Sequence, residues 1–84
     1  MIDHSEITFI ITTFRSEKVI HNCLEELPEI SQKIIIENSG NKNLKIDLEK
    51  KYKNLRCIIM HTNSGYGCAN NVGIKESKTN YVFI

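Results

Sequence analysis

The residues most able to do chemistry in this 84-residue chain cluster in one glycine-bearing stretch, Asn63-Ser64-Gly65-Tyr66-Gly67-Cys68-Ala69-Asn70-Asn71-Val72-Gly73. Glycine permits positive φ and close backbone approach to a ligand. A helix beginning here would offer unpaired N–H groups to an anion. Two phosphate-binding patterns can be tested against it. A G-x-G-x-x-G fingerprint starting at Gly65 needs glycine at position 70, which is Asn70, and it belongs after a first strand rather than a third. A P-loop needs Gly-Lys-Ser/Thr five residues after its first glycine, and that triplet is absent. Two further segments carry suitable groups, Thr12-Thr13-Phe14-Arg15-Ser16 and Glu37-Asn38-Ser39-Gly40.

The elements around them alternate. Residues 7–14 (ITFIITTF) are β-branched and aromatic, as a buried strand should be. Ser16 is placed to cap a helix whose apolar stripe is Val19, Ile20, Cys23, Leu24 and Leu27, closed by Pro28. A second strand covers 33–37 and ends at Asn38-Ser39-Gly40, a turn signal. Residues 41–43 read as polar loop, and Leu44, Leu48, Tyr52 and Leu55 mark a second helix. A third strand lies within 56–61, a third helix over 68–78 with Ala69 and Val72 packed, and a fourth strand over 81–84. This alternation predicts an α/β fold, a Rossmann-like parallel sheet with flanking helices, in strand order 3-2-1-4. Ligands of such sheets bind beyond the carboxyl ends of the strands. All three chemistry-bearing segments fall at that edge.

Composition narrows the function classes. Eleven basic residues face ten acidic ones, for a formal +1, so there is no basic field for nucleic acid. The three cysteines, Cys23, Cys57 and Cys68, show no C-x-x-C spacing and read as buried structural thiols. His4, His21 and His61 share no spacing and read as surface or boundary residues.

Taken with their order, these segments resemble the family 2 glycosyltransferases of the GT-A fold. That family carries N-x-G-x-x-x-A-x-N-x-G-I after its third strand, matched by Asn63, Gly65, Ala69, Asn71, Gly73 and Ile74. Residues 9–14 resemble its first strand, Ile35-Ile36-Glu37-Asn38-Ser39 its V-D-N-S strand ending, and residues 81–84 the strand leading into its D-x-D metal motif. Each motif is weak alone; four in register are more specific. The Asn70-Asn71 pair resembles a bacterial rhamnosyltransferase-like subgroup.

The resemblance implies a chain whose residues 1–84 are the nucleotide-binding part of a larger domain. The complete enzyme would move a sugar from a nucleotide-diphosphate donor to a saccharide or lipid-linked acceptor in polysaccharide biosynthesis. It would use Mg²⁺ or Mn²⁺ and work in the cytoplasm or at the inner membrane face. Thr12 and Phe14 would hold the base, the latter by stacking or, on the plainer reading, as a core aromatic. Glu37, where the family places Asp, would accept from the base's imide N–H, with Asn38 beside it. Asn70 stands where many members put Arg or Lys near the phosphates. Asn63, Gly65 and Asn71 would contact the donor or only pin the loop. The aspartates are Asp3 and Asp47 alone, so no D-x-D can form within these residues. Catalysis by this stretch unaided is therefore not expected. The rival reading is a non-catalytic α/β nucleotide-binding or interaction module.

Overall fold

A computed structural model of the chain describes residues 3–60 and 66–84. A 3-10 turn (His4–Glu6) leads into β1 (Ile7–Thr13), α1 (Glu17–Glu25), β2 (Gln32–Glu37), α2 (Lys42–Lys51), β3 (Leu55–Ile59), α3 (Tyr66–Glu76) and β4 (Tyr81–Phe83). The strands form one sheet in the order β3-β2-β1-β4, and all three pairings are parallel. The α/β, Rossmann-like architecture and the strand order are as the alternation predicts.

Period-2 alternation divides the core between two faces. Ile35 and Cys57 pack with Ile20 and Leu24 of α1 and with Leu44 and Leu48 of α2. Ile10, Ile34 and Ile36 pack with Ala69 on the opposite face, beneath α3. β2 is covered on both sides, which is why it reads as an unbroken apolar run. At Gly73 helix and sheet meet closely: a Cβ there would sit 2.5 Å from Ile10 Cγ2.

Several local expectations are corrected. Only Ile20 and Leu24 of the proposed α1 stripe are buried; Val19 and Cys23 are exposed, and Leu27 packs half-buried against the same core. Ser16 precedes α1 but makes no side-chain cap, since its Oγ donates to the Phe14 carbonyl instead. Tyr52 ends α2 as its C-cap, and Leu55 opens β3. The polar 41–43 stretch contains the helix start: Asn41 caps α2 by accepting from the Leu44 N–H at 3.0 Å. Of the cysteines, only Cys57 is buried; burial raises its thiol pKa to about 11 and keeps it protonated near neutrality. His21 sits at the boundary as expected, half-buried with its Nδ1 3.0 Å from the Tyr52 hydroxyl.

β3 has an outer edge, and two side chains of α2 close it at its centre. Glu49 Oε2 accepts from the Cys57 N–H at 2.9 Å, and Lys45 Nζ donates to the Cys57 carbonyl. The pair is itself joined, 2.9 Å apart at i,i+4. Both edge groups of Cys57 are thus occupied by side chains, the local equivalent of a further strand. The Glu49 carboxyl is held below its ordinary range, first by the Cys57 N–H and then by Lys45. A depressed carboxyl pKa stabilises the fold above the unfolded value, near 4.5, and the contribution is lost as pH falls through the lower folded value. Glu49→Ala is expected to speed exchange of the Cys57 amide by about tenfold, the scale of one hydrogen bond. Amide exchange followed by NMR checks this, and equal rates in the two proteins would contradict it.

Candidate functional site at the carboxyl edge of the sheet

The parallel strands bring the ends of β1 and β2 and the α3 face to one edge. α1 and α2 lie on one side of the sheet and α3 on the other. The strand order reverses between the pairs β1–β2 and β1–β4, which marks the crevice where such sheets take ligands.

Alternation along β1 sends adjacent threonines to opposite faces. On the α3 side, Thr12 Oγ1 donates to Asn70 Oδ1 at 2.9 Å. Asn70 is buried, so it is a packed partner of β1 rather than a free phosphate-reaching side chain. Its neighbour Asn71, one step further round α3, is exposed. On the other side, Thr13 pairs in register with Glu37, and its hydroxyl donates to Glu37 Oε1 at 3.1 Å.

Glu37 is fully buried, with 0% of its surface exposed. It also accepts from the Ser39 N–H and the Asn41 N–H, each at 2.9 Å, and from Ser39 Oγ at 2.8 Å. Both carboxylate oxygens are occupied by protein donors. A base N–H could reach the group only by displacing one of them. Gly40, at φ 73°, makes the turn between those donors, a conformation that favours glycine. The network reaches α1 as well, since Asn41 Nδ2 donates to Glu17 Oε1 at 2.8 Å.

Phe14 is 49% exposed, which removes the core-aromatic reading and leaves its ring available. The Arg15 guanidinium lies 5.3 Å from the ring centroid, within cation–π range. Arg15 itself adopts φ 55°, uncommon for a residue with a Cβ. Its N–H donates to Ser39 Oγ at 3.4 Å, linking this turn to the Glu37 network. Asn38 is 8% exposed, its N–H donates to the Thr13 carbonyl at 2.8 Å, and its buried Oδ1 has no hydrogen-bond partner among the described residues.

Of the residues expected at the site, Thr12 and Asn70 meet on the α3 face, Glu37 joins Thr13 on the α1–α2 face, and Phe14 and Asn38 directly follow the ends of β1 and β2. Asn71 is on the same helix but exposed, and Asn63 and Gly65 lie outside the described residues. The sequence placed Thr13, Arg15 and Ser39 in the segments at this edge without a role for any of them, and left Asn41 in a polar loop; all four join the Glu37 network. Only Asn41 had a usable signal, an Asn three residues before the first buried leucine of α2.

The described residues do not fit a divalent cation. No three His, Cys, Asp or Glu side chains among them converge, and the carboxylate at this edge is already saturated. No described helix is long and apolar enough to cross a membrane.

No family model matches the chain, and no solved structure matches it. Among characterised proteins it is similar to the teichoic acid poly(glycerol phosphate) polymerase of Staphylococcus epidermidis, at 33% identity over 85 residues. The match takes in 92% of this chain and 12% of that protein.

Proposed function

We propose that this chain is the nucleotide-binding part of a glycosyltransferase, one that builds an envelope polymer from a nucleotide-activated donor. The observation that carries the proposal is the Thr12–Asn70 hydrogen bond at the carboxyl end of β1, followed directly by the exposed Phe14 at the switch-point edge. The polymerase similarity over nearly the whole chain supports the same class of chemistry. That relative is named for a glycerol phosphate polymer, so the transferred group is proposed only as nucleotide-activated, with a saccharide or lipid-linked acceptor. The GT-A, family 2 assignment rests on the four motifs in register. Association of a longer enzyme with the inner membrane face belongs to the same proposal.

The site's own residues account for binding. The Phe14 ring offers a face for a base, Asn38 Oδ1 an acceptor for a base or ribose donor, and the Thr12–Asn70 pair a fixed polar wall. Calorimetric titration with uridine, thymidine and adenosine diphosphates tests this. A uridine or thymidine nucleotide is expected to bind at least about fivefold more tightly than the adenosine one, worth about 1 kcal/mol. Absence of binding by all three would overturn the proposal.

A further inference from the structure

Resting on that nucleotide-binding reading, we infer that Glu37 is a positioning residue and not a base ligand. It holds the turn that carries Phe14 and Arg15, acting through Ser39. The carboxylate is fully buried, and among the described residues its donors are Thr13 Oγ1, the Ser39 N–H and hydroxyl, and the Asn41 N–H. These donors come from the end of β1, the β2–α2 turn and the cap of α2. Ser39 Oγ in turn accepts from the Arg15 N–H, so the positive-φ turn beside Phe14 is tied to the same acid. Asn41 extends the tie to Glu17 in the first turn of α1. One side chain therefore fixes the two loops that flank the ligand edge. A carboxylate accepting several charge-assisted hydrogen bonds is a stiff anchor.

The roles of anchor and base reader predict different results. In Glu37→Gln the amide NH₂ would face donors, so the anchor is broken while the shape is kept. Amide exchange of Ser39, Asn41 and Arg15 in the nucleotide-free protein is expected to accelerate about tenfold or more. Affinity for uridine and adenosine diphosphates is expected to fall by the same factor, leaving their ratio unchanged within about twofold. Ser39→Ala, which removes only the relay hydroxyl, should speed Arg15 exchange and weaken both nucleotides to a smaller, equal extent. Loss of uridine binding with adenosine binding intact in Glu37→Gln would make Glu37 a base reader and overturn the inference. Unchanged exchange at Ser39 and Asn41 would overturn it as well. The exchange measurement needs no ligand, so it judges the anchor even if the wild-type chain binds no nucleotide, an outcome that would count against the proposed function alone.

Discussion

Ile35→Ala is expected to cost about 2–5 kcal/mol in folding free energy, the range for truncating a large aliphatic side chain in a core. Ile35 is fully buried in β2, and it packs against residues of α1, α2 and β3 at once. Neighbours held by three elements cannot all collapse into the space left behind, which places the cost in the upper part of that range. A small domain has only about 5–15 kcal/mol of stability in total, so the variant should be largely unfolded by modest urea. The matched control is Ile46→Ala on α2, whose side chain is 61% exposed and whose loss should change stability by less than about 0.5 kcal/mol. Urea denaturation of both variants checks the contrast. Equal effects would mean that the face between the sheet and the α1–α2 pair is not the principal core.

Gly73→Ala is expected to destabilise by about 1–3 kcal/mol, against the direction of helix propensity. Replacing a mid-helix glycine by alanine ordinarily gains about 0.8–1 kcal/mol. Here the new methyl would stand 2.5 Å from Ile10 Cγ2 and 3.2 Å from Ile10 Cγ1 and Cδ1. Ile10 is itself buried and cannot swing aside, so α3 must lift from β1 or Ile10 must leave its rotamer. Because α3 carries Asn70, lifting the helix also stretches the Thr12–Asn70 hydrogen bond. Nucleotide affinity should therefore fall together with stability. Asn71→Ala, at an exposed position two residues earlier, provides the propensity control and should be neutral or slightly stabilising. Thermal unfolding of the two variants decides the matter, and a stabilised Gly73→Ala protein would show that helix and sheet are not in contact there.

The parts of the fold legible from the sequence are those fixed by periodicity. The runs Ile34-Ile35-Ile36 and Cys57-Ile58-Ile59 can be buried on both sides only in interior or helix-covered strands, and the helical stripes between them force parallel crossovers. Helix ends and edges were less legible. Ser16 has the right type for a cap, but its hydroxyl bonds the Phe14 carbonyl within the turn. Tyr52 and Leu55 continue the spacing of α2, yet Tyr52 is already its extended C-cap, and the chain turns at Asn54, at φ 58°, before Leu55. Lys33 illustrates the same limit: its side chain is buried with Nζ on the Glu29 carbonyl at 2.9 Å, a contact that no local pattern announces. At the site, Thr12, Phe14, Glu37 and Asn70 could be placed at one edge because strand ends and a helix start converge there. What each does depends on which face of the sheet it joins and on partners distant in sequence. Glu37 shows this most clearly, since its donors Thr13 and Asn41 are 24 and 4 residues away.

Amide chemical-shift mapping of the full chain during titration with uridine diphosphate tests the nucleotide-binding edge most directly. Thr12, Phe14, Asn38 and Asn70 are expected to shift together and saturably, while Lys33 and Tyr52 at the opposite edge stay still. Shifts centred on Lys33 and Tyr52, or no saturable shifts at all, would contradict the assignment of this edge as the nucleotide site.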